Sequence, residues 1–267
     1  MAVEPQLWID GREATMADLR QMALVNYGAV TSFGYADGGV RGLDLHLERL
    51  AVSCRELFSC ELDKSHVLKL LESALASVDE AWVRITVTSP DLSLRAPEQA
   101  NAVSVGVWLS PPARALDGGQ RVKPLRHDRE LPHLKHLGMT GVIHARRQSR
   151  LAGYDDALLI GEVGMVLEGT LWNIGFVRQQ SIVWPQGPLL DGVTRRLLSR
   201  GLDQQGTDQR CEVITLDDLG RFDAAFLCNA ATPVAEIAAI GDHFFVGRAD
   251  MVQRLGDAWH SQAVQPI

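Results

Sequence analysis

Apolar residues recur along this chain with two different periods, and the switches between them mark out its elements. Over residues 44–58, Leu43, Leu47, Leu50, Cys54 and Leu57 follow one another at 4-3-4-3 spacing, a single stripe of a helix. His46, Arg49, Ser53 and Glu56 recur at 3-4-3 on a neighbouring stripe. Residues 65–76 repeat the helical pattern. Residues 82–88 alternate as a strand does, and 102–109 carry Val103, Val105 and Val107 on one face. The spacing then predicts a helix over 139–152 and short strands over 156–160, 166–170, 174–178 and 181–184, with Gln179-Gln180 as a tight turn. Residues 191–194 open a helix that runs through Leu202, and 224–228 and 235–240 read as further strands.

Prolines and glycines crowd the stretch from Ser110 to Gly119, the composition of a connection rather than of an element. It divides the chain into an N-terminal α/β lobe over 1–112, a linker over 113–120 and a C-terminal lobe over 121–267. Strands interleaved with helices in both halves predict a two-lobed mixed α/β or α+β enzyme. A cleft between lobes is the usual place for a cofactor.

Composition removes several classes of function. The 267 residues are 46% hydrophobic and 22% charged, with a formal net charge of −7 and no long Lys/Arg block, which argues against nucleic acid or an anionic membrane surface as partner. No apolar stretch approaches the ~20 residues that span a bilayer. The first six residues show neither the basic start nor the apolar run of a signal peptide. Cys54, Cys60, Cys211 and Cys228 form no Cys-x-x-Cys pair, and His133 and His136 have no acidic or thiol ligand at matching spacing, so no metal site is expected. Reduced thiols in a cytoplasmic protein are the expectation.

Lysine is scarce, and that shortens the search for a functional amine. Lys64 and Lys69 sit among Glu61, Asp63 and Glu72, and Lys123 lies beside Arg121 and Arg126. Lys135 lies in Leu131-Pro132-His133-Leu134-Lys135-His136-Leu137-Gly138, with no adjacent carboxylate. Burial disfavours the charged ammonium, and a Schiff-base lysine needs the free amine. A lysine that runs its stem along apolar neighbours to reach water has the same local context. Glu168 stands among apolar strand residues, where a carboxylate needs a cation, or else lies on the strand's exposed face. Gly192-Val193-Thr194 begins a helix whose free N–H groups suit a phosphate, with Asp191 as an ordinary cap the other reading. Arg49 is either a bidentate phosphate ligand or a helix-surface arginine.

Taken in order, these segments are far more specific than any one alone. Leu45-His46-Leu47-Glu48-Arg49-Leu50, Lys135-His136-Leu137, Asp155-Asp156-Ala157-Leu158-Leu159, Glu168-Gly169-Thr170-Leu171-Trp172-Asn173, Gly192-Val193-Thr194-Arg195 and Cys228-Asn229-Ala230-Ala231-Thr232-Pro233 follow one another along the chain. From about Asn26 to Gly241 the chain resembles the class IV aminotransferases, which include branched-chain and D-amino-acid aminotransferases and aminodeoxychorismate lyase.

The resemblance implies a two-lobed fold type IV enzyme, similar to D-amino-acid aminotransferase, with pyridoxal 5'-phosphate (PLP) between the lobes, commonly as a homodimer. Lys135 then matches the lysine that bonds the cofactor, and Glu168 the carboxylate facing the pyridine nitrogen. Arg49, Gly192, Val193 and Thr194 match the phosphate cup, closed by Asn229 and Ala230, and Asn173 matches a position near the cofactor. The implied reaction moves an amino group between an amino acid and a 2-oxo acid. A lyase that releases pyruvate and a non-catalytic PLP-binding protein are the alternatives. The family often carries Tyr-Gly-Asp-Gly-x-Phe-Glu-Thr in its first strand, whereas this chain has Asn26-Tyr27-Gly28-Ala29-Val30-Thr31-Ser32-Phe33-Gly34. The acidic residues are gone, which leaves the substrate open.

Overall fold

Valine, isoleucine and leucine at alternate positions build the centre of an antiparallel sheet in a computed structural model that describes residues 6–267. The chain divides into two compact units. The first takes in the chain up to Ala113, together with Leu134–Gly138 and Val264–Ile267. Its elements are β1 (Gln6–Ile9), β2 (Arg12–Glu13), α1 (Met16–Leu24), β3 (Ala29–Tyr35), β4 (Gly39–Arg41), α2 (Leu43–Phe58), α3 (Lys64–Leu75), β5 (Ala81–Thr88) and β6 (Ser104–Ser110).

The sheet order is β2-β1-β6-β5-β3. Phe33, Val83, Ile85, Val107 and Leu109 project from one face into a core with Leu47, Leu50 and Cys54 of α2 and Val67 and Leu71 of α3. The stripe predicted for α2 therefore does face the core, although His46 and Ser53 on the neighbouring stripe are buried as well. The other face carries Ser32, Arg84 and Trp108, which lie directly across from one another on β3, β5 and β6. Asp63 caps α3, accepting from the N–H groups of Ser65 and His66 at 2.9 and 3.1 Å. The final strand, Val264–Pro266, pairs with β4.

The second unit comprises Arg114–His133 and Met139–Ala263. It adds β7 (Gln120–Arg126), α4 (Thr140–Leu151), β8 (Asp156–Ile160), β9 (Val166–Gly169), β10 (Asn173–Arg178), β11 (Ser181–Pro185), α5 (Val193–Gln204), β12 (Gln209–Glu212), β13 (Ala224–Cys228), β14 (Ala235–Ile240), β15 (His243–Phe244) and α6 (Ala249–His260). One mixed sheet runs β12-β11-β10-β13-β14-β7-β8-β9, with β15 on β14. Leu198 and Leu202 of α5 and Met251, Leu255 and Ala258 of α6 pack on Trp184 and Phe226. Val122, Leu158, Ile174, Phe176 and Ile237 belong to a second cluster.

Several features depart from the pattern read in the sequence. Helices α1 and α6, strand β7 and the short strands β1, β2, β4, β12 and β15 do not appear in that pattern. The connection carrying Lys135 was assigned to the C-terminal lobe, yet Leu134–Gly138 groups with the first unit. The cause is main-chain pairing alongside β3: Val30 N–H donates to Lys135 O at 2.8 Å and Leu137 N–H to Gly28 O at 3.0 Å, flanking a bridge between Ala29 and His136.

Candidate active site

In the first unit, that pairing sets the register of Lys135. His136 stands opposite Ala29, so Lys135 is level with Val30. Strand side chains alternate, which puts Lys135 in the register of Val30, whose strand also carries Ser32 across from Arg84. Among the described residues, Arg84 has no hydrogen-bond or ion-pair partner, and burial pushes its guanidinium pKa down from the ordinary value. An unpaired, half-buried arginine is a ready receptor for a carboxylate. Nothing in the local sequence marks it; it is visible only once β3, β5 and β6 are in register.

Arg49 sits one turn after His46 on α2. His46 is buried, its ring Nδ1 2.6 Å from Thr31 Oγ1 and its centroid 4.8 Å from that of Phe33. Its pKa lies well below the ordinary histidine value, first because burial disfavours the charged ring and then because Arg49 and Lys135 are both cationic. The first unit thus brings Lys135, Arg49 and a neutral imidazole into one electrostatic neighbourhood.

In the second unit, Glu168 projects from β9 and is buried. A carboxylate among apolar strand residues needs a cation, and the family resemblance gives that part to the cofactor. The protein supplies a cation of its own: Arg129 Nη1 lies 2.7 Å from Glu168 Oε1 and also donates to Pro132 O at 3.2 Å. Leu190 N–H donates to Glu168 Oε2 at 3.3 Å. Arg129 is 39 residues from Glu168 in sequence and gave no local signal.

Asn173 begins β10 directly across from Cys228 of β13. Its Nδ2 donates to Leu190 O at 2.7 Å, and its Oδ1 occupies the space where a β-carbon on Gly192 would have to stand. Gly192 is the N-cap of α5 and no side chain caps that helix, leaving a buried start at Val193 and Thr194. Asn229 orders the turn after β13: its Oδ1 accepts from Ala231 N–H at 2.9 Å and Thr232 N–H at 2.7 Å, with Ala230 held inside that turn. The second unit therefore gathers Glu168, Asn173, Gly192, Val193 and Thr194 around Leu190, with Asn229 beside Cys228. A helix start without a capping side chain, at a glycine that admits nothing larger, fits a bound phosphate.

Asp156 is a buried carboxylate with a structural set of donors. It accepts from Thr170 Oγ1 at 2.8 Å, Trp172 Nε1 at 3.0 Å and Ala157 N–H at 2.8 Å. Among the described residues there is no group of three or more His, Cys, Asp or Glu placed to hold a metal ion, and no helix long and apolar enough to cross a membrane.

Comparison with known proteins gives three concordant results. The family model for amino-transferase class IV matches residues 28–240. A putative branched-chain-amino-acid aminotransferase from Methanocaldococcus jannaschii is 25% identical over 245 residues, covering 87% of this chain and 85% of that protein. Two solved structures share the fold. The branched-chain aminotransferase of Thermoproteus uzoniensis superposes with a TM-score of 0.84 at 22% identity, over 96% of this chain and 93% of that one. The 4-amino-4-deoxychorismate lyase of Pseudomonas aeruginosa superposes with a TM-score of 0.81 at 25% identity, over 94% and 97%.

Proposed function

This chain belongs to the class IV aminotransferases, and from that premise we propose that it is a PLP-dependent enzyme that moves an amino group between an amino acid and a 2-oxo acid, with Lys135 as the cofactor lysine. The observation that carries this reading is the placement of Lys135. Main-chain hydrogen bonds fix its backbone beside β3, and its charge is felt by the buried His46.

When bound, PLP supplies an electron sink for the pair left behind as the substrate loses its Cα proton. Lys135 Nζ takes that proton and returns it, as a positioned general base and acid. Glu168, which accepts from Arg129 and the Leu190 N–H, would hold the pyridine nitrogen and keep it protonated. Arg49, the start of α5 at Val193 and Thr194, and the turn at Asn229 and Ala230 hold the phosphate. Asn173 acts indirectly, by fixing Leu190 and Gly192. Arg84 takes a carboxylate of the amino or oxo acid.

The likeness to the Pseudomonas lyase supports a second reading, loss of a group from a neighbouring carbon with release of pyruvate. The family resemblance also supports a cytoplasmic homodimer. A screen of amino donors against 2-oxo acid acceptors, with aminodeoxychorismate included, tests the proposal. Amino transfer that requires an acceptor supports it; pyruvate release without any acceptor favours the lyase.

A further inference from the structure

We propose that Thr232 is a positioning residue of the cofactor-phosphate site: its hydroxyl ties the turn at Asn229 and Ala230 to the linker at Leu116, so that an occupied site holds the linker more tightly. The inference rests on the assignment of that turn to the phosphate above. All of its geometry lies within the second unit.

The turn is closed from inside by main chain and one amide side chain. Asn229 N–H donates to Thr232 O at 2.8 Å, and Asn229 Oδ1 accepts from the N–H groups of Ala231 and Thr232. The Thr232 hydroxyl takes no part in that closure, although the residue is buried. It accepts instead from Leu116 N–H at 3.0 Å. Leu116 also packs on the core that includes Val122, Ile237 and Ile240. Beyond it, Gln120 Nε2 donates to Asp117 O at 3.0 Å around the left-handed Gly118, and a β-carbon on Gly119 would stand 2.9 Å from that of Ala238. The stretch that the sequence marks as linker is therefore anchored from Leu116 onward, with Arg114 exposed just ahead of the first anchor.

A neutral hydrogen bond of this kind favours the closed state roughly fivefold. Linkage makes the effect mutual: if the bond favours the turn that receives phosphate, phosphate favours the bond by the same factor. Valine, close to threonine in shape, cannot accept from Leu116.

Trypsin cutting after Arg114 reads the bond, because a protease engages several residues on both sides of the cut and Leu116 must first leave Thr232. Cleavage of the native protein is followed with and without saturating PLP, beside a PLP titration by absorbance. In wild type, PLP slows the cut. Thr232→Val is cut roughly fivefold faster without PLP, gains no protection from it, and binds PLP roughly fivefold more weakly. Thr232→Ser, which keeps the hydroxyl, restores all three. Equal protection by PLP in Thr232→Val and wild type, or an unchanged PLP affinity in Thr232→Val, overturns the inference. So does a wild-type protein cut equally fast with and without bound PLP, a result that needs no variant. Ala230→Asp, which sets a carboxylate in the turn, separates this from the reading beneath it. Unweakened PLP binding by Ala230→Asp contradicts the phosphate assignment, and the inference falls with it. Weakened binding there beside an unchanged Thr232→Val overturns the inference alone.

Discussion

Asn173 Oδ1 occupies the space that a β-carbon on Gly192 would need, and the same side chain bonds the carbonyl of Leu190. One residue at the start of β10 therefore sets how the backbone turns into α5. Gly192→Ala forces the asparagine or the helix start to shift, an overpacking change that costs about 1–3 kcal/mol. The displaced N–H groups also lose the phosphate. The expected result is a lower melting temperature together with PLP affinity weakened by roughly tenfold or more, the equivalent of about 1.4 kcal/mol. A PLP titration of the variant that matches wild type removes the start of α5 from the phosphate site.

The three groups assigned to cofactor binding in different ways should separate in one titration. Charge-assisted bonds to phosphate are roughly twice as strong as neutral ones, so Arg49→Ala weakens PLP more than Thr194→Ala. Both recover most of their turnover in excess PLP, because mass action refills the site. Lys135→Ala does not, because the base itself is missing. An Arg49→Ala protein with unchanged PLP affinity places the phosphate elsewhere.

Much of this architecture was legible in the sequence, and the exceptions have physical causes. The stripe of α2 and strands β8 to β11 have clean periodicity, and their observed bounds lie within a residue or two of those expected. Strand β7 did not, because Arg121, Lys123 and Pro124 interrupt its apolar pattern. Pro124 is tolerated because the pairing with β14 ends at Val122, so its missing N–H leaves no ladder bond unmade on that side. Helix α6 has apolar residues at 251, 255 and 258 but no capping side chain to announce its start. At the candidate site, a segment contiguous in sequence can be proposed from the sequence, whereas a partner brought by folding cannot. Arg84 and Arg129 are the two examples, one revealed by strand register and the other by a contact across 39 residues.

His46 gives a pH dependence whose sign can be stated. Its folded-state pKa is depressed, so the unfolded chain binds the proton more readily. Stability is full above the ordinary histidine pKa of about 6.5 and falls as the pH drops below it, toward the folded-state value. His46→Asn keeps a polar partner for Thr31 and removes the titration. Melting temperatures between about pH 7.5 and 5 should therefore fall more steeply for wild type than for this variant. Parallel curves contradict the depressed value. Thr31→Val, which leaves the buried ring nitrogen without its 2.6 Å partner, should cost about 1–3 kcal/mol near neutral pH.

The central claim is that Lys135, one of four lysines in the chain, carries the cofactor. Borohydride reduction of the PLP-loaded protein, followed by peptide mapping, tests it without requiring a substrate. The account predicts a single pyridoxyl adduct on Lys135, absent from Lys135→Ala. An adduct on Lys123, Lys64 or Lys69 instead, or no adduct after loading, contradicts it.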